Sequence, residues 1–165
     1  RRRVGKRKMK TFKDATGRTW TIAINTTTAQ RVRDLTDINP FDMQKFNEIY
    51  SILRDPIRLV GLVYALCKPE IEERELTPEQ FGESLSGQSL RDAWDAFEAE
   101  LIFFIRALTP GDGERLQATL DRIRSLDDLA TEKLTAQLKS SKLDEHLEAE
   151  IEKAFNSTGN LSATS

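Results

Sequence analysis

The sequence predicts a mainly α protein with one small N-terminal β-hairpin (α+β), built as a compact helical bundle followed by C-terminal amphipathic helices. Three observations predict it. "KTFKDATGRTWTIAIN", Lys10–Asn25, alternates, breaks at a glycine and alternates again, which is the pattern of two paired strands. From Thr26 to Leu108, apolar residues recur at helical spacing between proline- and glycine-marked breaks. From Glu114 to about Phe155, charges are dense and the apolar residues are mainly leucines, as in helices with one wet face.

The hairpin pairs Lys10–Asp14 with Arg18–Asn25 around Ala15-Thr16-Gly17, where Gly17 supplies the positive φ of a tight loop. Trp20, Ile22 and Ile24 share one face, and Phe12 joins Trp20 across the pair. A lone hairpin is marginal in water. It therefore either lays this face on the helices as a lid or offers an edge strand to another chain, and the three large apolar residues favour the lid.

Asn25–Thr28 offers N-caps for a helix that runs through Leu35 and stops at "DINP". Asp42 is the expected cap of the next helix, which carries Phe46, Ile49, Tyr50 and Leu53. Asp55 then caps a third helix with Pro56 at its first position. Its segment Ile57–Cys67 is apolar on almost every side, which places it centrally, and "KPE" is expected to end it. A charged connection over 68–80 follows. Thr77-Pro78-Glu79-Gln80 starts a short helix with a capping box; it carries Phe81 and Leu85 and closes at Gly87. Ser89 opens the longest clean helix, to about Leu108, with the stripe Leu90, Trp94, Phe97, Leu101, Phe104, Ile105 and Leu108. "GDG" reads as a flexible joint. Beyond it the leucine seam slips between pieces, so two or three amphipathic helices are expected rather than one coiled coil. The expected organisation is a disordered basic head (1–9), a hairpin-plus-helix core (10–109), a helical extension (110–155) and a disordered tail (156–165).

Charge is unevenly spread. The 165 residues carry a formal charge of −2, but Arg1–Lys8 holds six cations, and without them the rest of the chain stands at −8. Met9 follows directly and is an alternative natural start. The head reads either as a solvated tail or as an arm for nucleic acid; it lacks aromatics for base stacking, so nucleic acid is not the expected partner. One cysteine excludes an intramolecular disulfide framework and fits a reducing compartment. The apolar runs near Leu59–Cys67 and Leu101–Leu108 are too short to span a bilayer, and no secretory signal is visible, so the sequons at Asn156 and Asn160 have no route to a glycan.

Catalytic chemistry does not assemble in the sequence. Cys67 lies in the apolar helix and reads as a small hydrophobe, and His146, the one histidine, lies in a charged C-terminal helix. No Cys/His set has zinc-ligand spacing, and Gly111 and Gly113 lack the lysine of a phosphate loop. No enzyme, metal or cofactor is expected. Surface remains. The acidic run from Glu70 to Glu100 is opposed only by Arg74 and Arg91, and it is either a solvated face or a field that steers a basic partner. At about 100° per residue, Phe103 falls opposite the apolar stripe, in line with Asp92, Ala96 and Ala99. Either that helix is sandwiched, or Asp92, Ala96, Ala99 and Phe103 form a small-residue groove ending in an aromatic, a seat for a partner helix.

In order, "TFKDATGRTWTIAIN", "RVRDL", "DPIRLVGLVYALCKPE" and "LTPEQFGESLSGQSLRDAWDAFEAELIFFIRAL" resemble the tail assembly chaperones of long-tailed phages, over about Lys10 to Leu108. The resemblance implies a non-enzymatic role in the host cytoplasm. Such a protein binds the helical tape-measure protein before tail-tube polymerisation, keeps it soluble and helps recruit tail-tube subunits; family members often also have a frameshifted, longer product. It brings no functional residues to named positions. Self-association through the C-terminal helices is an open alternative, and the rival functions are a structural virion component, such as a head–tail connector, and a nucleic-acid-binding protein using Arg1–Lys8.

Overall fold

The computed structural model describes residues 9–140 and 143–158. The protein is mainly α with one N-terminal hairpin, as the sequence predicts. The order is β1 (Lys10–Lys13), β2 (Thr19–Ile22), α1 (Thr26–Leu35), α2 (Phe46–Arg54), α3 (Pro56–Glu73), α4 (Pro78–Glu83), α5 (Gly87–Leu108), α6 (Pro110–Ser140) and α7 (Leu143–Thr158). The chain divides into two compact units after Ala118, within α6. Arg1–Lys8 and 159–165, where the head and most of the tail were expected, lie outside the described residues.

In the first unit the hairpin is antiparallel, with Phe12 opposite Trp20 and Lys10 opposite Ile22. Gly17 turns it at φ +85°. Phe12, Trp20, Ile22 and Ile24 are all buried. Asp14 organises the turn: one carboxylate oxygen accepts from the Thr16 and Arg18 amides and the Thr16 hydroxyl, and the other accepts from Trp20 Nε1 at 3.0 Å. Burial works to raise the Asp14 pKa, but these hydrogen bonds outweigh it and hold the carboxyl below its ordinary value.

α3 is the hub, with α1, α2, α4, α5 and β2 packed on it. Leu59, Leu62, Val63, Ala65, Leu66, Cys67 and Ile71 are buried, whereas Ile57, in its first turn, is exposed. The expected capping box of Thr77 with Gln80 forms, Asn25 proves to be the N-cap of α1 and makes a second box with Thr28, and Asp55 caps α3 above Pro56.

Several boundaries differ from expectation, each for a physical reason. Asp42 does not cap α2: Lys45 holds that position, and Asp42 closes a preceding turn through bonds from Gln44 and Lys45. Ile49 and Ile52 of α2 are buried, while Tyr50 is exposed under Arg54. α3 does not stop at Pro69. A proline removes one helical hydrogen bond and strands the carbonyl four residues back; here Arg31 Nη1 from α1 donates to that Ala65 carbonyl at 3.4 Å. The helix ends instead at Arg74, where Glu75 takes φ +55° and the Glu75 and Leu76 amides bond back to Glu72 and Ile71. Residues 68–73 are therefore helix rather than connection. Gly87 opens α5 instead of closing α4, behind Ser86 at the cap. Leu108 is exposed and drops out of the α5 stripe.

"GDG" is not a joint. Pro110 begins α6, at 31 residues the longest helix, so α5 is not the longest. A Cβ on Gly113 would lie 2.6 Å from Arg106 Cα, so the glycine lets the first turns of α6 approach the last turn of α5. Leu116 is buried and Gln117 accepts from Arg106 at 2.6 Å. The second unit, from Thr119, comprises the rest of α6 and α7. The apolar pieces expected there fall on two helices, and α7 continues to Thr158, so the first residues of the expected disordered tail are helical.

Candidate partner-binding surfaces

The hairpin settles into a clamp. Backbone groups on the outer edge of β2 are met by side chains from one stretch of α3. The Thr21 amide donates to Glu70 Oε1 at 3.1 Å, Cys67 Sγ lies 3.8 Å from the Thr21 carbonyl, and Arg74 Nη2 donates to the Thr19 carbonyl at 2.8 Å. Arg74 also pairs with Glu70 and stacks 4.3 Å over the Trp20 ring, which meets Phe81 edge-on at 4.9 Å. Cys67, Glu70 and Arg74 stand at helical spacing on one face of α3 and take the place of a third strand. An edge so occupied is poorly offered to another chain, and the hairpin serves as a lid. Burial pushes the Cys67 thiol pKa up, Glu70 adds to the rise and Arg74 opposes it, so the thiol is an inert part of the core.

α5 buries a wider arc than its apolar stripe. Trp94, Phe97, Leu101 and Ile105 face the core, and Ser89, Ala93, Ala96 and Glu100 are buried as well. Glu100 accepts from the Lys10 amide at 3.2 Å, which places the Ala93–Ala96–Glu100 side of α5 against β1. Small residues there let the strand approach closely. The four residues singled out in sequence are thus divided. Ala96 is buried, Ala99 and Asp92 are half-buried, with Asp92 accepting from Gln88 at 2.9 Å, and Phe103 is 48% exposed. Phe103 lies at the margin of the hairpin side of α5, one turn beyond Ala99.

The acidic run is also divided. Glu70, Glu98 and Glu100 are internal acceptors, for the Thr21 amide, Trp94 Nε1 and the Lys10 amide respectively. Glu72, Glu73, Glu79, Glu83 and Asp95 remain exposed. Sequence reasoning missed the internal group because two of its partners are backbone amides far away along the chain. The spacing of Glu70 and Arg74 at i, i+4 was the one local signal of an ion pair.

A cleft of about 680 Å³ lies between α1 and α3, lined by Thr26, Gln30, Arg31, Leu35, Lys68 and Pro69 among others. Around it Gln30 donates to Asp34 and Lys68 pairs with Glu72 along their own helices, while Arg31 reaches across to the Ala65 carbonyl. That pairing raises the Lys68 pKa.

In the second unit Leu120 is buried and Ile123 half-buried, but the later apolar residues face outward. Leu126, Leu129 and Leu134 of α6 and Leu147, Ile151 and Phe155 of α7 are each at least half exposed. Among the described residues no three His, Cys, Asp or Glu side chains are grouped to hold a metal, and no helix is long and apolar enough to cross a membrane. The His146 side chain and the Arg1–Lys8 arm, on which the pairing with Cys67 and the nucleic-acid reading depend, lie outside what the structure describes. Comparison with protein-family models, with curated proteins and with solved structures finds no match.

Proposed function

We propose that the chain is a non-enzymatic tail assembly chaperone that binds the tape-measure protein in the host cytoplasm, keeps it soluble before the tail tube polymerises and brings tail-tube subunits to it. The observation that carries this reading is the exposed apolar residues of the helical segment after Ala118, with Phe103 as a further exposed aromatic in the first unit. Apolar helix faces of this extent in water suit a helical client that presents an apolar stripe of its own. The sequence motifs of Lys10–Leu108 supply the identity of the client, and the buried hairpin leaves helix faces, not a strand edge, as the means of holding it.

Co-expression with the tape-measure protein of the same gene cluster tests the reading. The expected result is a soluble, co-purifying complex, weakened by Phe103→Asp while the free variant keeps its helix content. An insoluble client and no complex would overturn the chaperone role, and recovery of the chain in purified particles would make it a structural component instead.

A further inference from the structure

α7 carries a more specific statement about its partner. Leu147, Ile151 and Phe155 recur at every fourth position and so share one face, and they are 50%, 55% and 78% exposed. Glu148 and Glu152 follow along one flank of that face, Glu150 lies along the other, and Lys153 falls on the back; all four are exposed. A helix of 16 residues is marginal in water on its own propensity, so its stability calls for a cover on the apolar face.

The charges select the cover. A second copy of α7 laid on this face would bring glutamates toward glutamates, and like charges across a helix pair repel. Anionic surfaces, whether phosphates of a membrane or of nucleic acid, are disfavoured for the same reason. A helix with its own apolar stripe flanked by lysines or arginines satisfies both the stripe and the flanks. We infer that α7 is a docking helix for a basic amphipathic helix, held by Leu147, Ile151 and Phe155 and oriented by Glu148, Glu150 and Glu152. This rests on the reading of the chain as a holder of helical clients and states which of a client's helices the second unit takes.

The test uses the full chain and two labelled synthetic helices sharing one leucine stripe, one flanked by lysines and the other by glutamates, titrated by fluorescence anisotropy. The lysine helix is expected to bind about tenfold or more tighter than the glutamate helix, with the difference shrinking as salt is raised. Phe155→Ser should weaken the lysine helix by about tenfold. The double change Glu148→Lys with Glu152→Lys leaves the stripe intact and should invert the preference. Equal binding of the two helices, or a preference that charge reversal does not move, overturns the inference. So does a dimer in sedimentation that Ile151→Asp splits, because the occupant is then a second copy. Failure of the lysine helix while the tape-measure protein still co-purifies removes this inference alone; the converse removes the chaperone role and leaves the docking helix.

Discussion

Replacing Gly113 with alanine tests whether α5 and α6 meet as closely as the backbone indicates. The new Cβ would lie 2.6 Å from Arg106 Cα, 2.6 Å from its Cβ and 2.8 Å from its amide nitrogen. None of these is the free end of a flexible side chain, so one helix must move by several tenths of an ångström. Overpacking of this kind costs about 1–3 kcal/mol. Alanine in place of glycine in a helix returns up to about 1 kcal/mol, so the net change on Gly113→Ala is expected at about 0–2 kcal/mol destabilising. Gly111, two residues earlier in the same helix, has nothing within 4 Å of its Cβ position. Gly111→Ala collects the propensity gain with no steric cost and should be neutral or stabilising by up to about 1 kcal/mol. The informative quantity is the difference between the two variants, about 1–3 kcal/mol, which is the steric cost. Urea denaturation of both, followed by far-UV circular dichroism, measures it. Equal stabilities would refute the close approach and restore the reading of this segment as a flexible joint.

Other perturbations have equally definite outcomes. Glu75→Gly should stabilise the fold by about 0.5–1 kcal/mol in the same assay, because φ +55° costs a glutamate and not a glycine, partly offset by the entropy glycine adds to the unfolded chain. Asp14→Ala strands Trp20 Nε1 and the turn amides and should cost about 2–4 kcal/mol. The Asp14 carboxyl is held below its unfolded value, so its contribution is full above about pH 4 and is lost as pH falls through the folded value. The wild type should therefore lose more stability than Asp14→Asn as pH falls below about 4 in acid-titrated melts. Arg74→Ala removes the bond to Thr19 and the stack on Trp20 and should cost about 1–2 kcal/mol, with a change in Trp20 fluorescence.

What could be read from the sequence was what neighbouring residues decide. The N-cap candidates of Asn25–Thr28, Asp55 before Pro56, and Thr77 with Gln80 mark helix starts through bonds three residues long or shorter: Asn25 accepts from Thr28, Asp55 from Ile57 and Arg58, and Thr77 from Gln80. The alternation of Phe12, Trp20, Ile22 and Ile24 fixed the buried face of the hairpin for the same reason. What escaped depends on groups far apart in the chain. Pro69 is tolerated because Arg31, on another helix, takes the stranded Ala65 carbonyl. Gly113 is a packing glycine, which only the approach of Arg106 reveals. Glu75 occupies a left-handed position with no glycine to announce it. Of the candidate groove, the exposure of Phe103 was one of two open alternatives, and the burial of Ala96 could not be seen without knowing that β1 lies on that side of α5.

These long-range contacts also narrow how the protein can hold a partner. Backbone pairing is the cheapest route to a new interface for a small sheet. Here Glu70, Cys67 and Arg74 occupy the outer edge of β2, and Trp20 is fixed between Arg74 and Phe81. A strand arriving at that edge would have to displace a charged hydrogen bond and a cation–π contact together, at a cost of about 2–4 kcal/mol before any gain. The faces of α6 and α7 ask for no such displacement: Leu134, Leu147, Ile151 and Phe155 already face outward. A client helix laid on them would gain burial at once, so on the proposed reading the chain commits its strands to its own fold and its last helices to a partner.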